Sequence, residues 1–196
     1  MFLRLKAARF FPLGTIALLA LTIGAVLQTV TIVIPPSRVL SVPLPVFLSL
    51  PAAIVVSFIG ANEPKVLGQT AVRNLNLRLL LEQASALGIV TFAALLLANP
   101  QPQGNLIAAL RDFVGLWGVA AASKVLLPVK TSWFAPFALF ASSIVAGTSG
   151  QSVAWWAWPV APFDDPTAMA AALIAATLGT LAITAGLTKP RFGQSR

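Results

Sequence analysis

Five long apolar stretches and a slightly broken sixth run through this chain, and nearly all its basic residues sit in alternate gaps between them. That alternation constrains the fold more than any motif. In hydrocarbon every backbone N–H and C=O must be paired within the span, so each stretch is predicted to be a helix. A span needs roughly 20 apolar residues to cross about 30 Å of hydrocarbon. The expected class is therefore all-α: a polytopic integral membrane protein with about six transmembrane helices and both ends in the cytoplasm.

Composition agrees. The chain is 58% hydrophobic and 9% charged, with a mean hydropathy of +0.89, whereas a soluble domain carries charge on about 25% of its residues. Arg4, Lys6 and Arg9 look like the basic start of a secretory leader. The apolar stretch behind them is too long for one and has no small-residue cleavage site, so a retained first span is expected. There is no Cys, His or Tyr. Disulfides, Cys/His zinc sites, haem ligation by histidine, a histidine proton switch and a conventional catalytic triad are thereby excluded. No phosphate-binding Gly-x-x-x-x-Gly-Lys-[Ser/Thr] loop occurs. No catalytic residue, metal ligand or cofactor is expected, and the chain is not read as an enzyme. The net charge of +8 and pI near 11.6 are read as topology signals facing an anionic inner leaflet rather than as a nucleic-acid surface.

The predicted spans are Leu13–Ile34, Val39–Ile59, Leu79–Ala98, Leu106–Leu127, Trp133–Ala146 and Thr167–Leu187. The first ends at Pro35-Pro36, which cannot continue a helix. Pro43, Pro45 and Pro51 are expected to kink or unwind the start of the second. Residues 1–11 read as a short amphipathic helix on the inner membrane face. Residues 60–78 form the longest polar gap. Asp165 before Pro166 and Thr167 reads as a helix start. Of the 13 basic residues, Arg4, Lys6, Arg9, Lys65, Arg73, Arg78, Lys124, Lys130, Lys189, Arg191 and Arg196 fall on one side, and Arg38 and Arg111 on the other. The positive-inside rule places the larger set in the cytoplasm. The whole chain, 1–196, reads as one membrane domain in a bacterial plasma membrane.

Four features stand out as candidates for function. The loop 60–78, with Glu63, Lys65, Arg73 and Arg78, is either a solvated basic loop or a coupling helix that docks on a cytoplasmic partner. Arg111-Asp112 lies one and a half turns into the fourth span, where it is either an interfacial anchor or structural pair, or part of a pathway. Gln28, inside the first span, joins that pathway set. Residues 147–166, with the run Trp155-Trp156-Ala157-Trp158-Pro159, form either an aromatic belt or a re-entrant pair lining an external vestibule. Glu82, beside Gln83 near the start of the third span, is expected to pair with Lys124 or Arg78. Gly115-x-x-Gly118 is a small-residue packing signal.

In layout the chain resembles a compact permease of ABC-2-type ABC exporters, and its motifs are similar to those of small actinobacterial membrane subunits. The segments that carry the resemblance are Glu63-Pro64, Arg73-x-x-x-x-Arg78, Leu110-Arg111-Asp112-x-x-Gly115-x-x-Gly118 and the Trp run. That family has an N-terminal interfacial helix, a coupling helix between spans two and three, and a broken re-entrant region between spans five and six; residues 1–11, 63–78 and 147–166 occupy those places. The resemblance implies a separate ATP-binding subunit, a second permease copy or homologue, and contact with membrane lipid. The alternative expectation is a subunit that does not transport but anchors or assembles a larger membrane complex.

Overall fold

The computed structural model describes residues 15–17, 19, 20, 23, 24, 27, 30–33, 41–58, 81, 83–89, 91, 104–149 and 152–185. Helices dominate. Three are long and apolar enough to cross a membrane: Gly104–Ser123, the stretch Val129–Ala146, and Pro166–Thr184. Residues 15–17, 19, 20, 23 and 24 of the first apolar stretch and 83–89 of the third are helical as well.

Where the first stretch was predicted to stay helical to Ile34, its end is extended. Strand β1, Thr31–Val33, pairs antiparallel with β2, Ser41–Pro43. Thr31, Ile32 and Val33 are β-branched and favour a strand, and Pro35-Pro36 forbids helix immediately beyond. Helix α1 then runs Leu44–Ser57, with Pro45 in its first turn and Pro51 inside it. The unwinding predicted for the start of this stretch is the strand. Fourteen residues of helix reach only about 21 Å, and β2 adds about 10 Å.

Helix α2, Gly104–Ser123, starts two residues before the predicted Leu106 and stops four before Leu127. It is followed by a 3-10 turn at Val129–Thr131 and by α3, Phe134–Ala146. Between α3 and the last helix the chain folds back on itself. Strands β3, Thr148–Ser149, and β4, Ser152–Val153, form a small hairpin, and a 3-10 turn follows at Trp158–Val160. Helix α4 is Pro166–Thr184. Asp165 caps it as the sequence predicts: its Oδ1 accepts from the backbone N–H of Thr167 at 2.8 Å and of Ala168 at 3.3 Å, satisfying donors that the first turn leaves unpaired.

Helix α2 is the centre of the packing, with α1 and α4 against it. Within the spans, 67% of α2 is buried, against 22% for Val129–Ala146 and 28% for α4. Ala109, Phe113, Leu116 and Ala121 of α2 meet Ala52, Ala53 and Val56 of α1 and Ala168 and Ala172 of α4 in one core. Phe47 and Phe140 join α1 to α3 edge to face, their ring centroids 5.7 Å apart. The outer faces are apolar instead of charged: Leu173, Ile174, Leu178 and Leu181 on α4, and Phe134, Phe137 and Val145 on α3, are all exposed. An apolar periphery of this kind suits contact with lipid and would be an aggregation surface in water.

Candidate functional site

Arg111, Trp117 and Ser123 of α2 are buried, and each is tied to a different element. Near the Gly104 end sits Arg111, 4% exposed, beside Asp112, which is fully buried. Arg111 Nε donates to Asp112 Oδ1 at 2.9 Å. The rest of the guanidinium reaches the fold-back segment. Nη1 donates to the Pro162 carbonyl at 2.8 Å, and Nη2 to the carbonyls of Trp158 at 2.9 Å and Ala161 at 3.0 Å. A helical side chain leans toward its own N-terminus, which aims residue 111 at the Gly104 end, where this segment lies; the Phe163 ring packs there against Gly104. Arginine suits the task because its planar fork serves several acceptors at once.

Glycines in α2 make room for the same architecture. The Trp158 indole lies against Gly115. One turn further on, Gly118 meets the backbone of Ala175 and Ala176 in α4, and Gly179 faces the Gly118 carbonyl, 2.6 Å from where its own Cβ would stand. The Gly115-x-x-Gly118 signal is thus used within one chain, to bring α2 and α4 to backbone contact.

In the middle of α2, Trp117 Nε1 donates to Gln83 Oε1 at 3.2 Å, inside the core. At the Ser123 end, Lys124 donates to the Ser57 carbonyl and its ammonium lies 5.8 Å from the Phe58 ring centroid. A cation over the last carbonyls of α1 complements the negative end of that helix. Ser123 Oγ donates to the Ser132 carbonyl at 3.0 Å and closes the turn into α3.

Among the described residues, Asp112 Oδ2 has no hydrogen-bond partner. All four contacts of Arg111 are made through other atoms, so half of this buried carboxylate lacks a donor.

The candidates from sequence are placed as follows. Arg111 and Asp112 are brought together. Backbone carbonyls of 158–162 also reach the guanidinium and build the pair into the fold. Lys124, one of the two expected partners of Glu82, holds the end of α1. Gln28, Glu63, Lys65, Arg73, Arg78 and Glu82 lie outside the described residues, as do the segments 1–11 and 60–78. The acceptors missed in the sequence are carbonyls of Ser57, Trp158, Ala161 and Pro162. Main-chain oxygens have no signature of their own; the nearest signal was the polar, proline-rich character of 147–162.

No family model, curated protein or solved structure matches this chain.

Proposed function

We propose that this chain is a permease subunit of an ABC exporter in a bacterial plasma membrane. It spans the membrane six times, with both ends and residues 60–78 in the cytoplasm and 99–105 and 151–166 outside. Two permeases, identical or related, pair around the substrate path, and a separate ATP-binding subunit hydrolyses ATP.

The observation that supports this reading best is the fold-back segment between α3 and α4. It breaks two membrane-length helices with a hairpin and a 3-10 turn, in the place where the exporter layout has its broken re-entrant region. Non-helical backbone beside a bilayer is tolerated where protein satisfies its polar groups, and Arg111 does this for three carbonyls. Arg111 and Asp112 therefore support the wall of the path, while Gln28 is the candidate for facing it. Glu63, Lys65, Arg73 and Arg78 receive the ATP-binding subunit, and its closure is transmitted through them and through residues 1–11.

Purification of the intact complex from native membranes, with its components identified by mass spectrometry, tests the proposal. An ATP-binding subunit should co-purify, and Arg73→Glu or Arg78→Glu should release it while the chain still inserts, since like-charge repulsion replaces a charge-assisted contact. Recovery of other membrane subunits without any ATP-binding partner would support the anchor reading instead.

A further inference from the structure

Helices α2 and α4 touch backbone to backbone where Gly118 meets Ala175 and Ala176 and Gly179 faces the Gly118 carbonyl. Beyond this contact, toward Ser123 and Thr184, an open groove of about 550 Å³ lies between the two helices. Ala122 and Ala182 contribute only a methyl each to it, while Leu178 and Leu181, both more than half exposed, leave it uncovered. Of the described residues that line it only Thr184 is polar, and its hydroxyl donates back within α4, to the carbonyls of Thr180 at 3.0 Å and Leu181 at 3.1 Å. The groove has no free side-chain donor to offer, and a polar occupant would lose its own hydrogen bonds on entering. Its occupant is therefore hydrocarbon. Spread over the roughly 10 Å of helix between Leu178 and Ala185, the groove has a mean cross-section of about 50 Å², about half that of a helix with its side chains. It is too narrow to seat another helix and wide enough for an extended acyl chain, whose contacts an empty groove would forfeit.

We propose that this groove is a binding site for an anionic phospholipid of the inner leaflet, one acyl chain lying between α2 and α4 and the phosphate at the level of Ala185. The charge that selects the headgroup comes from Lys189 and Arg191. They follow Ala185 by four and six residues, so chain length alone keeps them within about 14 and 21 Å of it. Basic residues just cytoplasmic of a span attract anionic headgroups. Lys124, although it stands between the lining residues Ala122 and Val125 in sequence, is not available: it is 9% exposed and donates to the Ser57 carbonyl at the end of α1. The choice of leaflet rests on the N-in, C-in topology proposed above. The fit of a hydrocarbon chain to the groove does not, nor does it depend on what the complex transports.

The test uses full-length protein in vesicles of phosphatidylcholine doped with phosphatidylglycerol that carries a photoactivatable group in its acyl chain, with crosslinked peptides mapped by mass spectrometry. Adducts should be several-fold denser on residues 178–185 than on the exposed α3 face at Phe134 and Phe137. Unlabelled phosphatidylglycerol should compete for them better than added phosphatidylcholine. Ala122→Phe, whose ring takes up the groove, should remove the excess. Lys189→Gln with Arg191→Gln should keep the adducts and abolish the preference for phosphatidylglycerol. Equal density on the two faces would mean ordinary solvating lipid, and no adducts on 178–185 would mean that another segment of this chain or a second copy covers the groove; either result overturns the site. An unchanged preference in the double charge variant would overturn the headgroup assignment. If Ala122→Phe fails to fold, the wild-type map and the charge variant still decide both points. Labelling of Gln69→Cys and Gln103→Cys in the same vesicles reads the topology separately: a reversed pattern with the excess intact supports the groove and overturns the choice of leaflet.

Discussion

The indole of Trp158 fills the notch that Gly115 leaves in α2. A Cβ at residue 115 would stand 2.8 Å from Trp158 Cζ3, closer than carbon atoms tolerate, and 3.0 Å from Ala172 Cβ, close enough that the neighbour must shift. Gly115→Ala should therefore destabilise the protein, even though alanine is the better helix former by about 1 kcal/mol. Overpacking of a tight core costs about 1–3 kcal/mol, so the net loss is small but measurable as a lower Tm in detergent. Trp158→Phe in the same background should recover part of it; an unchanged Tm for Gly115→Ala would show that the ring is not seated there.

The Arg111–Asp112 pair should respond asymmetrically to neutralisation. Arg111→Leu leaves a buried carboxylate with no cation and three carbonyls with no donor. Removing one partner of a buried pair costs about 3–5 kcal/mol. The double variant Arg111→Leu/Asp112→Leu removes the stranded charge as well and should lose less. Arg111→Lys should also be destabilised, because a point ammonium cannot serve four acceptors held by a fork. Thermal unfolding of the solubilised variants gives the order directly, and a double variant less stable than Arg111→Leu would contradict it.

Asp165 should make the start of α4 acid-sensitive. The Thr167 hydroxyl at 2.6 Å, followed by the amides of Thr167 and Ala168, holds its carboxyl below the ordinary aspartate range. A depressed folded value means the contribution is fully present above the ordinary aspartate pKa of about 3.9 and is lost as pH falls through the lower folded value. Asp165→Ala should cost about 1 kcal/mol at neutral pH, while Asp165→Asn keeps the cap and should flatten this part of the acid profile. Hydrogen exchange at the first turn of α4 reads both.

The topology has a direct check. Single cysteines replacing Gln69 and Gln103 should react with an impermeant reagent from opposite sides of the membrane. The expectation rests on the eleven-to-two division of basic residues between the sides. Reaction of both from one side would exclude the N-in, C-in arrangement.

Sequence made the helices legible because apolar length is a strong local signal. It located α2, α3 and α4 to within a few residues, and the Asp165 cap with them. The strand Thr31–Val33 was hidden because a β-branched apolar run satisfies strand and buried helix alike, and only its pairing with Ser41–Pro43 resolves it. The candidate site was half legible. Arg111 and Asp112 are conspicuous as charges in an apolar stretch, and adjacency made their pairing an obvious option. The other three bonds of Arg111 go to carbonyls of residues 158, 161 and 162, whose side chains reveal nothing of this. Likewise, the partner of Lys124 at the end of α1 is a main-chain carbonyl, supplied by geometry alone.

The backbone acceptors of Arg111 lie 47, 50 and 51 residues after it, and this imposes an order on biogenesis. When α2 leaves the ribosome, its guanidinium has only Asp112 for company. At about 5–20 residues per second, the segment that completes its shell follows roughly 3–10 s later. An arginine at the centre of a lone helix disfavours insertion by about 2.5–3.5 kcal/mol, and one nearer its end by less; α2 is also less apolar than α4, with a hydropathy of 1.4 against 1.8. The translocon or neighbouring helices must shelter α2 through that interval, so truncation before Trp158 should strand the nascent chain with its central helix only partly committed to the bilayer.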